Sequence, residues 1–497
     1  MNLQNLSAQS FRPTRQQAAV IVSGIVSMGL EILAGRVLAP EFGNSIYTWG
    51  SIIGVSMLAL SLGYHYGGKS SKNISFNDLS RYLTYTALYI TALIYFGDMF
   101  LTLSSALPIP ARYSAIIPVA VLFGPPTYFL GFISPYAVQL SKKEDKGEAS
   151  GHFYAVGTAG SILGAFGTTF FLIPAFSVNS IYTFFAALSI IPAISSFRDP
   201  KSLLLPGIII AGIVLGGSTP VSGNTVYEDS TPYQELRVSD SDGVRTLYLG
   251  GQPQSATYIN GSDDYVWDYL DYFHMPFLMR DDVEKVLFIG GGGFTAPQRF
   301  AEMNISVDAV EIDPGVVKAA EQYFNLSESE NLDVRTGDGR NFLEASEGDY
   351  DVIYVDAYRK AEVPFHLTTQ EFMQLTYNKT DEDGVVVSNV ISTASGPGSE
   401  FARSQYRTID SVYESVYYFP TADTSLAQNI EIVASKNSRM SREGLGDRAK
   451  SYRGLNLSDE VGNLEDISPG DVPVLKDDYA PVEELMNPLI GEKYNIN

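Results

Sequence analysis

The chain has no cysteine, and only four histidines and two tryptophans in 497 residues. Without Cys there are no disulfides, thiolate metal sites or cysteine nucleophiles, and four His leave little material for a zinc cage. Bases are scarce too: 33 Lys and Arg face 56 Asp and Glu, for a formal net charge of −23. A phosphate backbone is bound by basic surfaces, so no nucleic-acid partner is expected. Such an acidic balance suits a high-salt setting, where self-repulsion is screened, and equally an ordinary acidic domain.

A second scarcity is local. Residues 1–217 hold only 8 acids against 12 bases, whereas residues 218–497 hold 48 acids and 21 bases. The first part reads as a transmembrane helical domain, 1–217, and the second as a folded acidic domain, 218–497. A bilayer core needs about 20 apolar residues per helix. Spans are predicted at Gln17–Leu38, Ile46–Tyr66, Tyr82–Leu107, Ser114–Val138, Phe153–Ile173, Val178–Ser195 and Leu203–Gly217, giving about seven. Arg12 and Arg15 precede a full-length span, so no cleaved signal peptide is expected.

Basic residues gather at alternate joints: Arg12 and Arg15, then Lys69, Lys72 and Arg81, then Lys142, Lys143 and Lys146, then Arg198 and Lys201. This pattern places the N-terminus in the cytoplasm of a multi-pass protein of the cell membrane. Seven spans then deliver the acidic half outside, and an even number reverses that. Asn-x-Ser/Thr sequons at Asn260, Asn304, Asn325, Asn378 and Asn456 are compatible with the outside. Glu31 inside the first span, with Arg36 five residues on, reads either as a polar site or as a structural pair. Gly157, Gly160, Gly164 and Gly167 read as a helix-packing seam.

In the acidic half, short strands at Glu235–Ser239 and Arg245–Leu249 form a β-hairpin, followed by a helical pattern over Val266–Phe277. A βαβ series follows: strands Val286–Ile289, Val307–Glu311, Val334–Gly337 and Val352–Val355, with helices Ala296–Met303 and Pro314–Phe324. This predicts a doubly wound, mostly parallel α/β sheet with ligands at the carboxyl ends of its strands. Three loops there point to a nucleoside. The turn Gly290–Gly293 lets backbone approach a ligand and opens a helix. Glu311, about 20 residues on, can take the two hydroxyls of a ribose. Asp338 can accept from an exocyclic adenine amine. The alternative for each acid is a helix N-cap. Asp356, closing the fourth strand, can orient or deprotonate an attacking amine, or cap the sheet end.

Four stretches then resemble the spermidine synthase (polyamine aminopropyltransferase) family: Val286–Gly292, Val310–Asp313, Gly337–Gly339 and Tyr350–Asp356. Gly251 to Gln254 is similar to its Gly-x-x-Gln element, and His274–Pro276 to its His-x-Pro ending. The whole chain resembles fused membrane members of the family. In these a multi-span region precedes the synthase-like domain, and stretches like Glu31–Gly43, Pro364–Thr368 and Asp477–Glu483 recur. The resemblance implies a Rossmann-like S-adenosyl-binding fold and a donor that is decarboxylated S-adenosylmethionine or S-adenosylmethionine, with no metal. Gly290 and Gly292 would cradle the donor, Glu311 bind its ribose and Asp338 its adenine. Asp356 would be catalytic at the acceptor amine, and Gln254, His274 and Arg359 would lie on the substrate side.

Two departures accompany the likeness. Where the family has an Asp holding the donor's aminopropyl group, this chain has Gly293; where it has a second Asp in the catalytic loop, this chain has Arg359. Desolvating a cationic polyamine takes several carboxylates. A non-standard acceptor is therefore expected, and Arg359 can hold an anionic group. The competing expectation is a reused fold, acting at the outer surface on a lipid or lipid-linked protein or serving transport or ligand sensing. Expected partners are the lipid bilayer and a small-molecule or membrane-borne acceptor, and a homodimer is compatible with the resemblance.

Overall fold

Two units divide the chain, Met1–Pro220 and Val221–Asn497. A computed structural model describes residues 14–43, 45–105, 107, 109–141, 145–194, 204–216, 224–262, 264–327, 329–357, 363–422, 426–437, 439–450 and 456–489. Arg12, Lys142, Lys143, Arg198, Lys201 and the span ends at Ser195, Leu203 and Gly217 lie outside the described residues.

The first unit is helical. Among the described residues four of its helices are long and apolar enough to cross a membrane: Arg15–Phe42, Ile46–Asn73, Phe76–Ser105 and Lys146–Ala175. The predicted fourth span is bent by 52° between Arg112–Leu122 and Gly124–Leu140, and counts as a fifth crossing only if the pair is one span. The sequence there reads Leu122-Phe123-Gly124-Pro125-Pro126, and a proline lacks the amide that would continue the ladder. Val178–Ile194 and Leu204–Gly216 are shorter, 17 and 13 residues. Among the described residues the seven predicted spans thus correspond to four helices of full length, one broken pair and two shorter helices close to their predicted lengths. These helices are compatible with a membrane anchor.

The glycine seam is largely as expected. A Cβ on Gly160 or Gly164 would run into the backbone of Ile21 or Ile25, and one on Gly24 into Gly157, so Arg15–Phe42 and Lys146–Gly167 pack at backbone contact. Gly167 is not in the seam, since nothing lies within 4 Å of its would-be Cβ. Arg36 donates from Nη1 to Ile173 O at 3.0 Å, just past a π-helical turn at Thr168–Leu172.

The second unit holds two sheets. Strands β1 (Thr225–Ser230), β2 (Glu235–Ser241), β3 (Val244–Leu249) and β4 (Gln252–Tyr258) form an antiparallel meander. The expected hairpin is its central pair. The stretch expected to be an α-helix is a 3-10 run, Asp268–His274, with a short helix at Pro276–Met279. Next come β5 (Lys285–Ile289), β6 (Ser306–Glu311), β7 (Leu332–Thr336), β8 (Tyr350–Val355), β9 (Thr380–Ser392), β10 (Ser415–Pro420) and β11 (Gln428–Ser435). The large sheet runs in the order β10-β11-β9-β8-β5-β6-β7, with β11 antiparallel to both β9 and β10 and the rest parallel.

Both faces of this mixed sheet are covered, which is why β5 and β8 are apolar apart from Lys285 and Asp351 near their starts. Val286, Phe288, Val352 and Tyr354 pack with Tyr272 and Phe273 of the 3-10 run, Phe300 and the meander's Leu236 and Leu247. Leu287, Ile289, Ile353 and Val355 pack on the other side with Leu343, Phe372, Phe401 and Ile409. The chain order 5-6-7 runs out to one side of β5 and 8-9 to the other. The carboxyl ends of β5 and β8 therefore flank the switch point where α/β sheets bind ligands.

Candidate active site at the carboxyl ends of the strands

The glycine turn follows β5 directly. Gly290 has φ +101°, and a Cβ there would overlap the backbone carbonyl of Asp356. Only glycine combines that left-handed backbone with so close an approach. Gly290 N donates to Val310 O and Asp356 N to Ile289 O, each at 2.9 Å, so the ends of β5, β6 and β8 are stitched together. Helix Thr295–Glu302 then starts from Phe294, a fully buried residue with φ +56°.

Glu311 ends β6 beneath this turn. Its Oε2 accepts from Gly291 N at 3.0 Å and its Oε1 from Asp313 N at 2.9 Å. A carboxylate offers about four lone-pair sites, so each oxygen keeps capacity for another donor such as a ribose hydroxyl. Burial pushes its proton affinity above the usual carboxylate range, and the amides of Asp313 and Gly291 oppose that rise. Asp313 itself is wholly buried and caps helix Pro314–Tyr323 through Gly315 N. Its other oxygen accepts from Thr231 Oγ1 at 2.7 Å and Gln234 Nε2 at 3.4 Å, which ties the meander to the start of this helix.

Asp338 follows β7 and is the N-cap of the next helix, with one oxygen left over. Its Oδ1 caps helix Gly339–Ala345 through Asn341 N at 2.9 Å, while Oδ2 lies 3.0 Å from His366 Nε2. Two stretches singled out in the sequence meet here. Arg340 donates to His366 O and, from two nitrogens, to Asp477, which also accepts from Thr369 Oγ1. The Arg340 guanidinium holds the Asp477 carboxyl below its ordinary range.

Asp356 stands one residue beyond β8. Asn389 Nδ2 donates to its Oδ1 at 2.8 Å, and Asn429 Nδ2 in turn donates to Asn389 Oδ1 at 2.9 Å. Burial pushes the Asp356 carboxyl up to about 6; the Asn389 amide opposes that and the nearby Glu311 adds to it. A carboxyl poised there is ionised at neutral pH yet basic enough to take a proton.

The remaining sequence candidates fall in different places. Gln254 lies on β4, which passes over the glycine turn: its carbonyl is 3.8 Å from where a Gly292 Cβ would be. At Gly293 a Cβ would stand 2.7 Å from Ser255 Oγ and 3.0 Å from the Phe324 ring, so the volume a longer side chain would need is already filled. His274 is buried among Tyr265, Phe277 and Phe300, with its ring stacked 5.3 Å from Phe300. Burial, then the Arg299 charge, pushes it down to about 4, so it is a neutral imidazole at physiological pH. Arg359 lies outside the described residues. Gly290, Gly292, Glu311 and Asp356 are thus brought to one corner, with Gln254 above the turn and Asp338 one strand further out.

Sequence reasoning did not assign roles to Asn389, His366 or Ser255. The signal for Asn389 was the polar pair Ser388-Asn389 interrupting the apolar run of β9. Among the described residues no group of three or more His, Asp or Glu is placed to hold a metal ion.

A spermine/spermidine synthase domain model matches residues 271–438. The polyamine aminopropyltransferase of Vibrio vulnificus (strain CMCP6) is 32% identical over 206 residues, covering 39% of this chain and 67% of the relative. The chain belongs to the spermine/spermidine synthase family. A probable polyamine aminopropyl transferase of Bifidobacterium longum (strain NCC 2705) is 31% identical over 286 residues, 53% of this chain and 62% of that protein. Against these curated family members the chain spans about two thirds of their length or somewhat less. Spermidine synthase from Thermotoga maritima, a solved structure, superposes at 19% identity with a TM-score of 0.41, over 49% of this chain and 85% of that one.

Proposed function

We propose that the α/β unit is a membrane-anchored transferase of the aminopropyltransferase kind, using an S-adenosyl donor and a non-standard amine acceptor. The observation that carries this reading is the convergence of the glycine turn, Glu311 and Asp356: Gly291 N bonds Glu311, and Gly290 lies against the backbone of Asp356. Gly290 and Gly292 let backbone lie along the donor, Glu311 takes the ribose hydroxyls and Asp338 the adenine amine. Either decarboxylated S-adenosylmethionine or S-adenosylmethionine satisfies these contacts.

Asp356 takes a proton from the acceptor's ammonium. The freed nitrogen lone pair then attacks a carbon bonded to the sulfonium. The C–N bond forms as the C–S bond breaks, and the bonding pair returns to sulfur. Because the base must be ionised and its carboxyl sits at about 6, activity is present above that pH and lost below it.

Putrescine is expected to be a poor acceptor. Ser255 and Phe324 occupy the space at Gly293, and position 359 carries a base where acidic partners would be required. Each missing charge-assisted contact costs about 1.5–3 kcal/mol, or about 10- to 150-fold. Slow spermidine formation by the purified full-length protein is therefore expected. Robust formation at a rate unaffected by Asp356→Asn would overturn both the specificity and the catalytic assignment.

Basic joints on alternate sides support an odd number of crossings, with the α/β unit opposite the N-terminus. Five crossings, or seven with the last two helices, have that parity, whereas four, with the bent pair not crossing, reverse it. An odd count favours a membrane-borne acceptor such as a lipid or lipid-linked protein. Protease added to intact cells should release the C-terminal half. Complete protection until lysis would place that half with the N-terminus, beside cytoplasmic donors and acceptors.

A further inference from the structure

Three polar residues stand in one row across the large sheet. Asp356 and Asn389 follow the paired residues Val355 and Ser388 of β8 and β9, and Asn389 lies opposite Glu431 where β9 pairs with β11. Neighbouring strands are about 4.8 Å apart, so two strand spacings separate the backbones of the two acids. Asn389 is fixed at both ends of its amide, donating to Asp356 and accepting from Asn429. Glu431 differs. It is 0% exposed, and neither carboxyl oxygen has a hydrogen-bond partner among the described residues.

An ionised carboxylate without donors or water is among the costliest buried groups, and such a group takes up a proton instead. The neighbours of Glu431 offer it no compensating positive charge among the described residues. Phe419 lies opposite it on β10. Tyr272 comes from the 3-10 run; its hydroxyl oxygen accepts from Asn463 Nδ2, and burial pushes its proton affinity up to about 12, so it stays neutral. Glu460 and Asp268, beyond Tyr272, are also acids. Burial first, then the charge on Asp356, raises Glu431 well above the ordinary carboxylate range. Asp356 differs from it in one respect: it has a donor.

We propose that Asp356 and Glu431 form an electrostatically coupled acid pair that carries one proton in all, and that Asn389 is the positioning residue that assigns the negative charge to Asp356 and the proton to Glu431. The role given to this charge rests on the reading of Asp356 as the acceptor's base; the presence of the proton does not. The pair titrates in two steps, as electrostatically coupled acids do. Between those steps it presents one negative charge to the acceptor instead of two. It therefore suits an acceptor that brings a single ammonium to this row, in keeping with weak use of a short diamine.

Infrared spectra of the full-length, ligand-free protein test the pair's proton without any substrate. A protonated carboxylic C=O band should be present at neutral pH and absent in Glu431→Gln. The acid limb of the rate profile tests the assignment of charge. In Glu431→Gln its midpoint should stay near pH 6, because Gln copies the neutral acid. In Asn389→Leu, Asp356 loses its donor and the limb should move at least one pH unit upward, melting temperature serving as the check on folding. No band assignable to Glu431, a limb displaced by a unit or more in Glu431→Gln, or an unmoved limb in folded Asn389→Leu would each overturn the proposal. If Asn389→Leu does not fold, the infrared result and Glu431→Gln still decide it. A wild-type protein that shows the band but binds no S-adenosyl compound leaves the acid pair standing and removes the transferase reading instead.

Discussion

Replacing Asp356 with Asn is expected to lower the rate of transfer by about 10²–10⁴-fold, the range a positioned general base contributes. The substitution keeps the shape of the side chain and removes its capacity to accept a proton from an ammonium. Donor binding should change little, since the donor contacts proposed here are made by the glycine turn, Glu311 and Asp338. The pH profile supplies a second check. Wild-type activity should fall as pH drops through about 6, where the buried Asp356 carboxyl takes up its proton. The residual activity of the Asn variant should lack that limb. A variant as active as the parent would remove Asp356 from the chemistry.

Glu311→Ala should weaken donor binding more than tenfold with either S-adenosyl compound. Hydrogen bonds to a charged acceptor contribute about 1.5–3 kcal/mol each, and two are at stake in gripping a ribose. The same change strips a partner from Gly291 N and Asp313 N, so the glycine turn and the start of helix Pro314–Tyr323 lose an anchor together. Calorimetry on the full-length protein, with melting temperature as the control for folding, separates lost binding from lost structure. Unaltered affinity in a folded variant would mean that Glu311 serves only its own loop.

The loops at the strand ends were legible because sequence and structure use the same signals there. Short apolar strands stop at glycine or at an acid, and Gly290, Glu311, Asp338 and Asp356 end or follow β5 to β8 as read. The N-cap alternative proved compatible with a site: Asp338 caps its helix with one oxygen and meets His366 with the other. What escaped was set by long-range packing. β1 carries two acids among six residues and β4 contains Pro253, so neither shows the alternation that marks a strand. Glu431 sits in Asn429-Ile430-Glu431-Ile432, where polar residues at every second position suggest a solvent-facing edge. The structure buries all eight residues of β11 by placing it between β9 and β10. In the helical unit, hydropathy located the apolar stretches. It could not reveal that prolines beside Gly124 accompany a 52° bend.

The most direct test of the account is whether the full-length protein in detergent binds an S-adenosyl donor, measured by calorimetric titration with decarboxylated S-adenosylmethionine and with S-adenosylmethionine. Saturable one-site binding of at least one of them, weakened more than tenfold in Glu311→Ala, is the predicted result. No binding of either compound by folded protein would contradict the central claim that the corner formed by the glycine turn, Glu311 and Asp356 is a donor site.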